Sequence, residues 1–303
     1  MSEDKKPLVI SLQHVTKKYR RFAAVDDVSV VVNAGEIVGF VGENGAGKTT
    51  TISMLLGFIS PSKGDVRIFD ERVRSWNTQS SHANIGYAAG DMELPSRMTG
   101  EQYLKFVMSR AKKHDSKRYD ALVASFRPQL KKKISSLSRG NKQKIALVAA
   151  LVNSPKLVIL DEPTSGLDPV MQEVFLETIR REAVRGTTVF MSSHYLQEVA
   201  EVCSRVLLMK DGRIVEDLSA EDLAKHGGKN VKVIAKGDFA LPAGATRQES
   251  HSGVRFSYTG DMKTLQEWIA SLQHIEDIQI EDRTLEDQFR HIYSTPVRED
   301  DDE

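Results

Sequence analysis

The chain has 303 residues, and its 42 Lys and Arg residues balance 42 Asp and Glu residues, which gives a formal net charge of zero. This balance supplies no overall field that would recruit nucleic acid or an anionic membrane surface, and we expect no nucleic-acid partner. The longest uninterrupted apolar run, Ile145 to Val152, is far shorter than the roughly 20 residues that a membrane-spanning helix needs. The polar start, Met1 to Pro7, has no apolar run like that of a signal peptide, so we expect a cytoplasmic chain.

Short β-branched runs alternate with helical patterns through the first two thirds of the chain, which predicts an α/β domain built partly on parallel strands. We expect strands at Glu36–Val41, Leu157–Leu160 and Thr187–Ser193. The second of these is apolar at every position, as a strand covered on both faces would be. Apolar residues at helical spacing between Gly100 and Leu151 indicate an inserted helical subdomain, at about 95–152.

A second unit is expected in the last quarter of the chain. An Asp-Gly turn between apolar flanks predicts a hairpin at Met209–Val215, and the polar, glycine-rich segment Lys225–Lys229 is interpreted as a linker. The pattern beyond it predicts a small α+β domain, with strands at Asn230–Ile234, Val254–Tyr258 and Ile275–Ile280 and helices at Leu265–Leu272 and Leu285–Tyr293. The predicted boundaries are 1–226, 227–295 and, for an acidic disordered tail, 296–303.

A glycine-rich loop follows the first predicted strand. The segment Gly42–Thr49 fits the P-loop pattern at every fixed position, and it lies between a strand and a helix as the motif requires. Its backbone N–H groups and the positive end of the helix dipole suit phosphate oxygens. We expect Lys48 to reach the β- and γ-phosphates and the Thr49 hydroxyl to bind Mg²⁺. The predicted nucleotide-binding residues here are Gly42, Asn44, Gly45, Ala46, Gly47, Lys48, Thr49 and Thr50.

Two adjacent acids end the apolar strand that begins at Leu157. Asp161 and Glu162 form the Walker B arrangement, in which one carboxylate lies on the metal side and its neighbour lies near the γ-phosphate. An apolar strand that ends in acids is common, and such a pair alone carries little weight. Combined with the P-loop, it predicts an enzyme that hydrolyses nucleoside triphosphates with Mg²⁺, and the resemblance described next implies that the nucleotide is ATP.

Two further segments resemble a known family. Leu137–Lys144 resembles the signature sequence of ABC ATPases, in the variant with a basic third residue, and Glu162–Pro169 resembles the family's joined Walker B and D-loop. The motifs stand in the family's order over the first three quarters of the chain. The resemblance implies an α/β fold, in which a P-loop ABC-type ATPase core has an antiparallel β subdomain and an inserted helical subdomain. A small α+β domain is expected to follow at the C-terminal end.

The resemblance also implies roles for individual residues. Ser138 and the backbone near Gly140 begin a predicted helix, which is an anion site, and in the family this site faces the γ-phosphate held by another subunit's P-loop. The switch histidine corresponds to His194, and the aromatic that stacks on adenine corresponds to Tyr19. The expected catalytic residues are Glu162, His194 and Lys48, and the nucleotide contacts further include Tyr19, Ser138, Gly140 and Asp168.

One position departs from the family's pattern. In the segment that aligns with the Q-loop, Gly90 stands where a glutamine or glutamate is expected. Glycine has no side chain to contact Mg²⁺ or the attacking water. Asp91 is adjacent and is the candidate replacement, so the predicted metal ligands are Thr49, Asp161 and Asp91.

The family resemblance extends to partners. Two such ATPase subunits close head to tail on two ATP molecules, as a homodimer or as a pair with a related ATPase, and a separate transmembrane permease is expected. The chain resembles the ATPases of bacterial two-component exporters, which predicts a cytoplasmic protein peripheral on the inner face of the membrane. The alternative is a soluble or regulatory ABC ATPase that acts without a membrane partner. Ribosome-acting relatives generally carry two ATPase domains and DNA-acting ones carry long coiled coils, and this chain has neither.

Overall fold

The structure is a computed structural model that describes residues 6–74, 83–111, 115–225, 228–235, 240–248, 253–272 and 274–283. It divides into two compact units, Met1–Ala220 and Glu221–Glu303. The predicted helix Leu285–Tyr293 and the predicted tail at 296–303 lie outside the described residues. No helix in the described part of the chain is long and apolar enough to span a membrane.

The first unit alternates strands and helices. Its strands are β1 (Leu8–Tyr19), β2 (Phe22–Asn33), β3 (Ile37–Val41), β4 (Lys63–Ile68), β5 (Glu71–Arg72), β6 (Ile85–Ala89), β7 (Leu157–Asp161), β8 (Thr188–Ser193), β9 (Arg205–Lys210) and β10 (Arg213–Ser219). Its helices are α1 (Lys48–Leu55), α2 (Gly100–Met108), α3 (Ser116–Phe126), α4 (Arg139–Leu151), α5 (Pro169–Val184) and α6 (Leu196–Ala200), with a 3₁₀ turn at Ile134–Ser136. Helix α7 (Ala220–Lys225) begins at the end of this unit.

The described strands of this unit form two sheets. One is antiparallel, with the order β2-β1-β4-β5, and the other has the order β10-β9-β3-β8-β7-β6. In the second sheet β9, β3, β8, β7 and β6 run parallel, and β10 pairs antiparallel with β9. Every residue of β3, β7 and β8 is buried, as strands covered on both faces should be. The carboxyl ends of these three central strands therefore meet at one edge of the sheet.

One hydrophobic cluster joins the two sheets to α1. Its buried members include Ile10 and Leu12 from β1, Phe40 from β3, Ile52 from α1 and Phe190 from β8. The rings of Phe40 and Phe190 lie 5.3 Å apart between centroids. This cluster fixes the position of the loop that connects β3 to α1.

The β9–β10 hairpin turns as its sequence predicts. Asp211 and Gly212 both have positive φ, 47° and 81°, which is the signature of the tight type I′ turn. Gly212 N–H donates to the Ala46 carbonyl oxygen at 3.0 Å, so the hairpin supports the loop between β3 and α1.

Helices α2, α3 and α4 lie between β6 and β7 in the chain, where the sequence predicts a helical subdomain. A buried ion pair joins α3 to α5, with Arg118 Nη2 and Glu182 Oε2 2.5 Å apart and the side chains 7% and 2% exposed. Arg118 also donates from Nε and Nη2 to the Leu151 carbonyl oxygen at the end of α4, at 2.9 and 2.7 Å. One guanidinium thus holds two helices of the subdomain to a helix outside it.

The second unit is an antiparallel sheet with one described long helix. Strands β11 (Lys229–Ala235), β12 (Ala245–Gln248), β13 (Val254–Tyr258) and β14 (Ile275–Asp282) take the order β12-β13-β11-β14, and α8 (Met262–Ser271) packs on the sheet. Its core contains Val231, Val233, Phe256, Tyr258 and Leu265. Strand β12 is a correction to the sequence analysis, which left 245–248 without structure.

Candidate nucleotide-binding and catalytic site

The P-loop lies between the end of β3 and the start of α1. Gly45 and Gly47 adopt φ values of 88° and 107°, and Gly47 caps the helix. Asn44, Gly45 and Thr49 are exposed, whereas Gly42 and Ala46 are buried and anchor the loop. The exposed part of the loop and the helix N-terminus form a surface suited to bind phosphate.

Lys48 points back along the loop. Its Nζ donates to the carbonyl oxygens of Gly42 and Glu43, at 2.6 and 3.1 Å, and the residue is only 5% exposed. Burial lowers the pKa of the Lys48 ammonium, while the negative charges of Glu162 and Asp161 act in the opposite direction. The buried ammonium therefore lies within the field of both Walker B carboxylates.

The two Walker B acids differ in environment. Asp161 ends β7 and is buried, and its Oδ1 accepts a hydrogen bond from Ser192 Oγ at 2.5 Å. Glu162 is partly exposed and has a φ of 49°, in the left-handed region that non-glycine residues rarely adopt. The buried acid suits an oxygen ligand on the metal side, and the exposed acid can reach a water molecule.

His194 follows β8, the strand that neighbours β7. Because β7 and β8 are parallel, with Asp161 paired to Ser192, the residues after both strands emerge side by side. His194 Nδ1 lies 3.8 Å from Glu162 Oε2, with the two side chains 38% and 33% exposed. The structure therefore brings together three predicted catalytic side chains, Lys48, Glu162 and His194, at the carboxyl ends of β3, β7 and β8.

The signature segment packs against the turn that follows Glu162. Ser138 caps α4 by accepting from the Asn141 N–H, and Gln143 Nε2 donates to the Pro163 carbonyl oxygen at 2.8 Å. A Cβ atom on Gly140 would lie 2.6 Å from the Gly166 carbonyl oxygen, so only glycine permits this approach. The N-terminus of α4 is exposed beside this turn.

Asp168 and Tyr19 occupy the ends of their elements. Asp168 caps α5 by accepting from the Met171 N–H at 3.0 Å, and its own side chain is exposed. Tyr19 ends β1 at 49% exposure, with Lys17 Nζ 5.3 Å from its ring centre. An exposed ring can stack on a base, and its contact with adenine stays a prediction.

Gly90 and Asp91 lie beside the same turn. A Cβ atom on Gly90 would lie 2.8 Å from the Glu162 carbonyl oxygen and 2.9 Å from Ser165 Cβ. The Asp91 carboxylate pairs with Arg139 Nη2 at 2.7 Å, and Arg139 Nη2 also donates to Ser165 Oγ at 2.8 Å. Asp91 is therefore directed to the signature segment, and a role as a metal ligand would need its side chain to turn away from Arg139.

Hydrogen bonds between hydroxyl and carboxylate groups connect the ends of β7 and β8. The sequence did not predict these contacts. Thr164 Oγ1 and Ser193 Oγ donate to Glu198 Oε2 on α6, at 3.0 and 3.3 Å. Ser192 contacts both Walker B residues, because its Oγ also accepts the Glu162 N–H at 3.0 Å. The available sequence signal was a pair of serines ending a buried strand just before a candidate histidine.

The residues present fit a magnesium ion. Within the described ranges, no group of three or more His, Cys, Asp and Glu side chains forms a metal cage. Mg²⁺ is usually held by one or two carboxylates, substrate phosphates and water, without a dedicated protein cage. The Thr49 hydroxyl and the Asp161 carboxylate are oxygen donors of that kind.

Three comparisons with known proteins agree with this geometry. The family described as ABC transporter matches residues 25–165. A Bacitracin transport ATP-binding protein from Bacillus licheniformis is 33% identical over 226 residues, covering 73% of both chains. A Nod factor export ATP-binding protein I from Rhizobium leguminosarum bv. viciae is 30% identical over 297 residues, covering 93% of this chain and 94% of the relative. A solved ATP-binding subunit of an ABC transporter is 26% identical with a TM-score of 0.66, covering 72% of this chain and 92% of that chain.

Proposed function

The chain belongs to the ABC transporter ATP-binding proteins, and from this premise we propose that it powers export through a separate transmembrane partner. It binds ATP and is an ATPase of this family. The observation that carries the ATPase part of the proposal is the meeting of Lys48, Glu162 and His194 at the carboxyl ends of three parallel strands. Similarity to a Nod factor export ATP-binding protein along nearly the whole chain supports the exporter assignment.

We infer that two subunits bind two ATP molecules head to tail. Each ATP would be held by one subunit's P-loop and by the exposed α4 N-terminus of the other subunit, where Ser138 and the N–H groups near Gly140 suit a γ-phosphate. The partner is a second copy of this chain or a related ATPase. Neither subunit alone would have a complete site.

The hydrolysis step follows from the positions of the acids. Water attacks the γ-phosphorus, a new P–O bond forms, and the bond to the bridging oxygen breaks so that its electron pair leaves with ADP. Glu162 orients the water and takes up its proton, while Lys48 and Ser138 stabilise charge on the phosphoryl oxygens. His194 holds Glu162 and the γ-phosphate in line. Mg²⁺, held on the protein side by Thr49 and Asp161, would neutralise phosphate charge.

An association experiment tests whether the chain binds a transmembrane partner. We expect the chain to work at the inner face of the cell membrane and to bind a permease with several segments of spanning length. If the neighbouring reading frame in the genome encodes such a permease, co-expression with it should bring the chain to the membrane fraction and raise its ATPase rate. A chain that stays unassociated and equally active in that experiment would favour the soluble or regulatory alternative.

The Q-loop departure leads to a prediction of modest size. Asp91→Ala removes the contact with Arg139, and we expect the ATPase rate to fall by no more than about fivefold, because an exposed pair contributes about 0.2–1 kcal/mol. Gly90→Gln should bring no gain, since its Cβ would meet the Glu162 carbonyl oxygen. Steady-state rates at saturating Mg-ATP test both, with Asp91→Asn as the charge-specific comparison. If Asp91→Ala and Asp91→Asn both match the parent, the contact with Arg139 does not contribute to the rate, and a faster Gly90→Gln would show that the loop accommodates the side chain.

The division into two units predicts that the nucleotide site survives truncation. The described P-loop, Walker B and signature residues all lie in Met1–Ala220, which has its own core. A chain ending near Lys225 should therefore bind ATP with an affinity within about threefold of the parent, and the removed part would serve dimer contacts or regulation. Fluorescent ATP titration with the full chain as control measures this. Loss of binding in a truncated chain with unchanged circular dichroism would show that the boundary is wrong.

A further inference from the structure

We propose that Ser192 is a positioning residue that fixes Glu162 relative to Asp161. This inference rests on the proposed ATPase site and assigns a task to a side chain outside the catalytic group. Ser192 lies on β8 in register with Asp161 on β7, so its side chain reaches the acids directly across the parallel pair.

The Ser192 hydroxyl makes two hydrogen bonds of opposite sense. It donates to Asp161 Oδ1 at 2.5 Å and accepts the Glu162 N–H at 3.0 Å. One atom therefore contacts the carboxylate on the metal side and the backbone of the residue that orients water. Ser192 is fully buried, so water has no access to substitute for the hydroxyl.

The bond to the Glu162 N–H has a specific task. Glu162 has a left-handed φ of 49°, which a residue with a Cβ holds only where its surroundings enforce it. Ser192 holds the amide side of this residue, and Gly90 N–H holds the neighbouring Asp161 carbonyl oxygen at 2.9 Å. The side-chain direction of Glu162 then follows from its backbone conformation.

Loss of the hydroxyl should uncouple the two acids. With alanine at this position, Asp161 Oδ1 loses its donor and the Glu162 N–H loses its acceptor in a buried place. We expect Glu162 to relax toward an ordinary φ and carry its carboxylate away from the attacking water. The Asp161 carboxylate would also change its direction toward a metal ion.

The experiment compares Ser192→Ala with Thr188→Val in the full chain. Thr188 lies at the opposite end of the same strand, is equally buried, and its hydroxyl accepts the Gly35 N–H at 3.0 Å. Both variants delete one buried hydroxyl, so both should lower the melting temperature. Only Ser192→Ala should lower kcat, by about tenfold, with the Mg²⁺ concentration for half-maximal rate raised at least about threefold. Ser192→Thr, which keeps the hydroxyl, should recover most of the rate.

Two readouts do not depend on turnover. The Glu162 amide proton should exchange with solvent faster in Ser192→Ala than in the parent and in Thr188→Val, as measured by NMR. ATP affinity measured without Mg²⁺ should be unchanged in all variants, because the P-loop is untouched. Equal exchange rates, or a kcat loss no larger than that of Thr188→Val, would overturn the proposal.

The outcome is separable from that of the proposed function. A parent chain that hydrolyses no ATP would contradict the ATPase site, yet the exchange rate of the Glu162 amide would still test the contact. If Ser192→Ala does not fold, the comparison passes to Ser192→Cys, which keeps the volume and weakens both hydrogen bonds. Amide exchange and kcat unchanged in that variant would likewise overturn the role of the hydroxyl.

Discussion

Glu162→Gln should reduce steady-state ATP hydrolysis by on the order of a hundredfold or more while ATP binding is kept. The substitution preserves the shape of the side chain and removes the charge that, in the proposed mechanism, orients the water and accepts its proton. Phosphate binding depends on the P-loop and Lys48, which are contributed by a different loop. ATP bound but not hydrolysed should hold two subunits together, so the variant should form an ATP-dependent dimer.

Two measurements check this expectation. Steady-state ATPase assays give the rate, and size-exclusion chromatography with Mg-ATP shows whether a dimer accumulates. Glu177→Gln is the matched control, because that carboxylate lies exposed on α5 and pairs with Arg181. Hydrolysis at the parent's rate in Glu162→Gln would remove Glu162 from the catalytic role.

Gly140→Ala should also reduce hydrolysis by on the order of a hundredfold, for a different reason. The added Cβ would lie 2.6 Å from the Gly166 carbonyl oxygen, so the start of α4 and the turn after Glu162 must move apart. This displaces both the helix N-terminus that we propose contacts the other subunit's ATP and the turn that follows Glu162, the proposed water-orienting acid. Binding of ATP to the variant's own P-loop should be unaffected.

The test for Gly140 compares the ATP hydrolysis rate of the variant with its ATP affinity. Fluorescent ATP titration should give the parent's affinity, whereas hydrolysis and ATP-dependent dimer formation should both be lost. Ser136→Ala, a change in the exposed turn just before α4, serves as the control for the surrounding surface. Full activity in Gly140→Ala would mean that the close approach to Gly166 does not matter for the site.

The sequence predicted what depends on local pattern. The fold class, an ABC-type ATPase core with an antiparallel β subdomain and a helical subdomain, is confirmed, and the structure shows the C-terminal α+β domain. Strands β3, β7 and β8 were identifiable because apolar runs and flanking motifs mark them. Strand β12 was missed because its four residues are mostly polar and only the sheet neighbour β13 makes them a strand.

Contacts between segments that are far apart in the chain could not be predicted from the sequence. The partner of Asp91 is Arg139, and a pattern along the chain does not tell which of many basic residues the fold brings to an acid. From the sequence, Gly90 can be described only as the absence of the glutamine or glutamate side chain expected at that position. The structure gives a steric reason for the glycine, because the Glu162 carbonyl oxygen and Ser165 occupy the space that a side chain would need.

Helix α4 has one end anchored and one end at the site. At the C-terminal end of α4, Arg118 connects the Leu151 carbonyl oxygen to Glu182, whereas Ser138 caps the N-terminal end. At a rise of about 1.5 Å per residue, its 13 residues give the helix a length of about 20 Å. A rotation of about 9° about the Arg118 contact would therefore carry Ser138 through about 3 Å, the length of a hydrogen bond. In the proposed dimer, a rotation of this size would be enough to make or break a contact between Ser138 and the other subunit's γ-phosphate.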